Sequence, residues 1–477
     1  MYIHKSLPLP LLTVLVACGT PSGGSDTLDA GGESSSSSGG GETTGGASTA
    51  DPGLTGGDSL TGGDSLTGGD PTTGGDPTTG GPTTGGDPTT GSSSGEESTG
   101  GTTGDLAPAT AVDVLFIIDN SASMASVHKK IADDIGAFVD PLLAAELDLR
   151  IAVTTTDHGN PRCAATTPEN GAIEVESCRV RVLNGEYVNF EGDVSSNCLD
   201  VCPHPTIKTL PTTTADDPEP APRPWIEWNA GTTNVEVPLH EALSCAIPQG
   251  VTGCGFEQPL EALHSALQRM QDPADPAAGF LRPEAHFVAI IVTDESDCSH
   301  NVAAAEIFTV NKVFWSSPDD VAPTSGVCWK AGITCQGGPG TYDDCVATDH
   351  DLTGAVTADP AQAVLHPVSR YDDALDAVAA DKLAAGSAAR VQLVVIGGVP
   401  VDWPEEALVF ADSPDFDYQT SFGIGPGCSA MGQSAVPPGR MREVAAGHSA
   451  IVQPMFSICQ PTLSGPLTAI ADGIVAQ

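Results

Sequence analysis

The feature that most limits what this 477-residue chain can fold into is a long stretch with almost nothing to bury. From Gly19 to about Ala107 there is no aromatic residue, no Ile and no Val, and this stretch holds 28 of the chain's 55 glycines. Thr-Gly-Gly-Asp followed by Pro-Thr or Ser-Leu recurs through residues 55 to 91. Such a segment cannot offset the entropy of ordering its backbone, so residues 19–107 are expected to form a disordered Gly/Ser/Thr/Asp/Pro tether. At roughly 5–6 Å × √n for a Gly-rich chain, its root-mean-square span is about 50 Å. The recurring Gly-Gly-Asp also fits a calcium-binding β-helix, but the position that would fill the internal stack is usually Thr or Pro. Fold and chemistry are thereby confined to residues 108–477.

Residues 1–18 (MYIHKSLPLPLLTVLVAC) place a Lys ahead of an apolar run from Leu7 to Val16. That run is shorter than the roughly 20 residues a membrane-spanning helix needs, and it fits a cleaved secretion signal. Its ending, Leu15-Val16-Ala17-Cys18, resembles a bacterial lipobox. The resemblance implies that Cys18 becomes the acylated first residue, holding the chain to a membrane through lipid alone. With Gly19 after it, the expected location is the outer membrane of the cell envelope, periplasmic or surface-exposed.

Residues 108–477 carry 17 Lys+Arg against 49 Asp+Glu, a net charge of −32. A surface of that sign does not track phosphates, which excludes a nucleic-acid partner. Twelve of the thirteen cysteines lie here, an even number on an exported chain, and they read as up to six disulfides. Cys245 with Cys254 and Cys428 with Cys459 are the expected short-range pairs. Zinc is the rival reading at Cys198, Cys202 and His204 and at Cys328, Cys335 and Cys345, but neither group has paired C-x2-C spacing.

Apolar runs and amphipathic segments alternate. Val112–Ile118 (VDVLFII) is a near-continuous apolar strand, as in a parallel sheet covered on both faces. Asp119-Asn120-Ser121-Ala122-Ser123 follows, and then Val127, Ile131, Ile135, Phe138 and Leu142 recur at helical spacing. Further strands are expected at 147–156, 285–293, 391–396 and 450–452. Helices are expected from Pro259, at 371–385 and at 466–475, with two cysteine-rich insertions at about 158–235 and 299–368. The pattern predicts an α/β fold: a doubly wound, mostly parallel sheet with helices on both faces. Functional groups belong at the carboxyl ends of its strands.

Two polar clusters fall at such ends. Asp119-x-Ser121-x-Ser123 resembles the first loop of the metal-ion-dependent adhesion site of von Willebrand factor A domains, and Thr293-Asp294-Glu295 resembles the third. Together with Gly-Cys-Gly-Phe-Glu-Gln-Pro around Cys254, Gly279-Phe280-Leu281-Arg282 and Asp297-Cys298-Ser299, the chain looks like a cysteine-rich subgroup of these domains found in myxobacterial lipoproteins. The resemblance spans 108–477. It implies one divalent cation, Mg²⁺ or Ca²⁺ with Mn²⁺ also suited, held by Ser121 and Ser123 directly and by Asp119 and Asp294 directly or through water. An open coordination position would then take a carboxylate from a protein or polymer ligand. Hydroxyl and carboxylate oxygens are the donors that such hard cations prefer.

The second metal loop departs from the family pattern. In place of Gly-Thr-x-Thr the chain has Val251-Thr252-Gly253-Cys254-Gly255-Phe256-Glu257-Gln258. Glu257 is the first candidate for the missing ligand, Thr252 the second, and Thr232 or Thr233 the third. A Glu ligand would favour Ca²⁺ and weaken the ion's pull on a partner carboxylate. Asp297 reads as an outer carboxylate, a separate calcium ligand, or a cap on the helix after it. No H-E-x-x-H, G-x-S-x-G, P-loop or G-x-G-x-x-G motif appears in a supporting context, so an enzyme is not expected. The expected function is that of a lipid-anchored envelope binding protein. The alternatives are a metal-dependent hydrolase or hydrolase accessory, and a structural protein whose metal only stiffens its loops.

Overall fold

The computed structural model describes residues 109–477; the expected signal peptide, Cys18 and the expected tether lie outside the described residues. The centre is a seven-stranded sheet. Its strands are β1 (Ala111–Ile118), β2 (Asp148–Thr155), β3 (Ile226–Asn229), β4 (Thr232–Thr233), β5 (Ala285–Val292), β6 (Val391–Gly397) and β7 (Met455–Ser457). The spatial order is β7-β6-β5-β1-β2-β3-β4. The five strands from β7 to β2 are parallel, while β3 and β4 continue the sheet antiparallel at one edge.

Alternation along β1 explains the two cores. Val112, Val114, Phe116 and Ile118 pack on one face, with α1 (Ala125–Ala144), α2 (Leu239–Ala246) and the last helix, α6 (Ser464–Val475). Leu115 and Ile117 point to the other face, beneath α3 (Pro259–Gln271), α4 (Ser369–Ala384) and α5 (Gly439–Gly447). With apolar residues demanded on both faces, β1 must read as a continuous run. The helical stripe Val127, Ile131, Ile135, Phe138 and Leu142 is buried, and Pro259 opens α3, where its missing N–H costs nothing.

Three expectations need correction. The late strand is Met455–Ser457, not 450–452. Ile451 donates its N–H to the side chain of Gln392 at 2.8 Å, and the carbonyls that accept from β6 on either side of it are His448, from Leu393 N, and Pro454, from Val395 N. The first insertion is not external to the sheet, because β3 and β4 belong to it and extend the sheet beyond β2. Cys245 and Cys254 are not partners. Cys245 lies on α2 and bonds Cys202 within the first core, whereas Cys254 is in the loop beyond and bonds Cys163. The helix end turns the two sulfurs toward different neighbours, so nearness in sequence misleads. Cys428 and Cys459 are bonded, and the remaining pairs are Cys178–Cys198, Cys298–Cys328 and Cys335–Cys345. All twelve sulfurs are thus paired, which leaves no thiolate for zinc.

The chain runs from β1 outward to β2, and the next parallel strand, β5, lies on the opposite side of β1. Connections leaving β1 and β5 therefore part company and open a crevice at the carboxyl ends of these two strands, the usual ligand position in an open α/β sheet.

Candidate functional site

That crevice holds the two predicted clusters. Asp119 continues from β1, its N–H bonded to the Val292 carbonyl at 3.0 Å. Its Oδ1 accepts from the Ser121 N–H at 2.8 Å and its Oδ2 from the Thr293 hydroxyl at 2.5 Å, so both loops converge on one carboxylate. Ser123 donates its hydroxyl to Asp294 Oδ1 at 3.1 Å and lies 3.2 Å from the Ser121 hydroxyl. His128, one turn into α1, keeps its Nε2 2.7 Å from the Asp119 carbonyl. Burial lowers this imidazole to about 4, so it sits there neutral and donates. Asp119, Ser121, Ser123 and Asp294 are therefore brought together.

For the second loop, the structure separates the candidates. Glu257 is fully buried, its Oε2 accepts from the Thr156 hydroxyl, and it lies in the field of Asp119, Glu295 and Asp157. Thr252 is exposed, and no hydrogen bond from its side chain is present among the described residues. Its neighbour Gly253 makes the close approach: the N–H donates to the Asn120 carbonyl at 2.9 Å, and a Cβ there would lie 2.0 Å from Asn120 Oδ1. Thr232 and Thr233 form β4, three strands from β1. Of the three candidates, Glu257 is the one in the crevice.

Asp297 is neither a cap on the helix after it nor a free ligand. It pairs with Arg440 at 2.8 Å, accepts from the Ser299 hydroxyl and receives the Leu260 N–H at the start of α3, behind it in sequence.

The electrostatics of the crevice are unusual. Asp119, Glu257, Asp294 and Glu295 influence one another, and among the described residues none of the four lies within ion-pair distance of a Lys, Arg or His. Burial pushes Asp119 up, against the hydrogen bonds from Thr293 and Ser121. Burial and the charge of Asp119 push Asp294 up to about 7. The same two causes hold Glu257 and Glu295 well above the ordinary carboxylate range. Burial followed by the charges of Asp294 and Glu295 also raises the Tyr418 hydroxyl.

Among the described residues, four buried polar atoms here have no hydrogen-bond partner: Asn120 Oδ1, Glu257 Oε1, Glu295 Oε2 and Tyr418 OH. Each such atom costs about 1–3 kcal/mol when left unpaired, so their concentration in one crevice needs an explanation. Thr156, Thr293 and Glu295 are contributors that motif reading passed over. Each directly follows a buried strand or adjoins Asp294, a signal that the topology rule could have raised. Tyr418 comes from a distant segment and nothing in its local sequence marks it.

Among the described residues, no group of three or more His, Cys, Asp or Glu is arranged to hold a metal ion. The donors that do converge at Ser123 are of a different kind, two hydroxyls with two carboxylates, which is an all-oxygen set suited to a hard divalent cation. Above them opens a cleft of about 580 Å³, floored in part by Ser123 and Asp294. Its walls are two hairpins, Val188–Asn189 with Gly192–Asp193 and Cys428–Ala430 with Gln433–Ala435.

No helix among the described residues is long and apolar enough to cross a membrane. The six disulfides are compatible with an extracytoplasmic location. No protein-family model, curated protein or solved structure matches the chain.

Proposed function

We propose that this chain is a cell-envelope binding protein of the von Willebrand factor A type, held to the membrane by lipid on Cys18. In this reading it grips a protein or polymer partner through one divalent cation. Ser121 and Ser123 would hold the ion, with Asp119 and Asp294 beside them and Glu257 behind. Mg²⁺, Ca²⁺ and Mn²⁺ all suit these oxygens, and the extra carboxylate tilts the preference toward Ca²⁺. The cation, when bound, supplies an open coordination position for a partner's carboxylate. The chain's own residues orient the donors: Thr293 and the Ser121 N–H fix the Asp119 carboxylate, His128 fixes its backbone, and Thr156 fixes Glu257.

The single observation that carries the reading is the concentration of four acids in one crevice with, among the described residues, no basic side chain within ion-pair distance of any of them. Buried charge is tolerated when paired or when it coordinates a metal. Here the pairing is missing and the coordination-type donors are present.

The test is retention of envelope components on immobilised protein in Mg²⁺ or Ca²⁺, against EDTA, for the wild type and Asp119→Ala. Retention that needs the cation and vanishes in a folded Asp119→Ala protein is the expected result. Equal retention by both proteins in EDTA would contradict it. Turnover of a retained polymer would replace binding by hydrolysis.

A further inference from the structure

The cleft above the carboxylates has a character that the cation alone does not explain. Each hairpin projects one large apolar side chain into solvent: Phe190, 80% exposed, and Met431, 81% exposed. Both residues line the cleft. Leaving two such side chains in water beside one cavity forgoes hydrophobic stabilisation that their burial would bring.

Met431 is also strained. Met431 and Gly432 form the two-residue loop of their hairpin, with φ of 55° and 86°. A loop with both residues left-handed selects Asn or Asp followed by Gly. A Met in that first position is disfavoured, because its Cβ crowds the following carbonyl. Backbone strain of this kind clusters where a side chain must be presented.

Both hairpins are anchored. Cys178–Cys198 brackets the first, and Asn189 Nδ2 donates to the Ala122 carbonyl at 2.7 Å, tying it to the loop that carries Ser121 and Ser123. Cys428–Cys459 braces the second.

Charge completes the pattern. Lys130 lines the same cleft and donates to Gln433 Oε1 at 3.1 Å and to the Gln460 carbonyl at 3.2 Å. No carboxylate among the described residues pairs with it, although acids greatly outnumber bases in this part of the chain. Glu191, at the hairpin tip, is exposed and also lines the cleft. A partner entering the cleft thus meets a positive wall at Lys130 and two apolar jaws.

From this we infer that Phe190 and Met431 form an apolar clasp. It selects a protein segment in which a carboxylate stands within about two residues of a bulky apolar side chain. The acid faces Lys130 and the floor at Ser123 and Asp294, and the apolar side chain lies between the jaws. The occupant is a short extended segment, because a cleft in the ~300–1,000 Å³ range of small-ligand sites takes a few residues and not a folded surface. This inference rests on the cation reading for the floor, but the clasp itself does not.

The experiment is selection of a random heptapeptide library displayed on phage, against the immobilised full chain in Mn²⁺. It is followed by anisotropy titration of the winning peptide, fluorescein-labelled, into variants. Enriched peptides should carry Asp or Glu within two positions of Leu, Ile, Met, Phe or Trp. The double variant Phe190→Ser, Met431→Ser should bind the winner about 10–100-fold more weakly, and Lys130→Met more weakly by a smaller factor. Because both jaws are exposed, the double variant should keep the wild-type calorimetric affinity for Mn²⁺ alone. An empty selection, enriched peptides without an apolar neighbour, or unchanged affinity in the double variant would overturn the clasp. Peptide binding that ignores EDTA yet still depends on Phe190 and Met431 would support the clasp and contradict the cation at its floor.

Discussion

Two aspartates on the same strand, Asp113 near its start and Asp119 just past its end, are both fully buried and have opposite surroundings. Burial pushes both carboxyls up, but Arg282, Lys382 and Arg150 pull Asp113 back, while Asp119 is opposed only by hydrogen bonds from Thr293 and Ser121. Arg282 holds Asp113 by its Nε at 2.8 Å and its backbone N–H at 2.7 Å, and Lys382 braces the Arg282 carbonyl at 2.8 Å. At the other end of the strand the neighbours of Asp119 are more acids. Elsewhere in the fold the pattern of Asp113 prevails. Asp297 has Arg440. Against the push of burial, the hydrogen bond from Arg370 holds Glu261 below its ordinary range. The fold can supply a counter-charge to a buried acid and does so three times. Where it does not, at Asp119, the proposed cation would supply the counter-charge.

The largest effect that would sharpen this contrast comes from the paired end. Arg282→Met strands Asp113 and should cost about 3–5 kcal/mol of stability, as removal of one partner from a buried pair does. Asp119→Asn removes a charge that has no partner and should leave stability in EDTA within about 1 kcal/mol of wild type. Urea unfolding of both variants checks this. Comparable losses at the two ends would break the comparison.

A smaller effect is expected from pH. Burial and then the charge of Asp119 push the Asp294 carboxyl up to about 7, against an ordinary value of 3.8. A raised folded pKa contributes stability that is complete below pH ~4 and is lost as pH rises through 7. Cation-free protein should therefore become less stable between pH 4 and 7, and saturating Mg²⁺ should abolish that decline by occupying the site as the proton leaves. Cation affinity should rise by about tenfold per pH unit up to 7 and then level, a dependence readable by calorimetry at four pH values. Flat affinity across this window would mean that Asp294 is not linked to the ion.

Glu257→Gln comes next in size. It keeps the shape and an acceptor for Thr156 but removes the charge behind the site. Cation affinity should fall about tenfold, the low end for an outer-sphere group, with Ca²⁺ losing more than Mg²⁺. The smallest effect belongs to Thr252→Ala, which should change neither cation affinity nor stability by more than about 0.5 kcal/mol, as for an exposed residue without a named role. A large loss at Thr252 would return the second loop to the family pattern.

What was legible in the sequence follows the strength of the local constraint. β1, β5 and β6 are apolar on both faces, so they announce themselves, and the polar residues directly after β1 and β5 mark the crevice. The edge strands β3 and β4 are too short to carry a period, and they were absorbed into an insertion. The last strand is not legible at its true position, because Ile451 and Val452 look like strand residues but give their N–H groups to Gln392. The Cys163–Cys254 pair spans 91 residues, a separation that only the fold closes. Glu295 and Tyr418 show the same limit at the site. Glu295 stands beside Asp294 in the third-loop pattern without a role of its own there, and Tyr418 reaches the crevice from a helix, Phe416–Phe422, that the sheet pattern does not foretell.

The central claim is that the acids at the carboxyl end of β1 are balanced by an exchangeable divalent cation held on Ser121 and Ser123. Calorimetric titration of Mg²⁺, Ca²⁺ and Mn²⁺ into the cation-free protein, beside the double variant Ser121→Ala, Ser123→Ala, tests it most directly. The account predicts saturable binding of one ion by the wild type, with proton release below pH 7, and its loss in a variant that remains folded. Binding that is equal in the two proteins, or absent from the wild type, would contradict it.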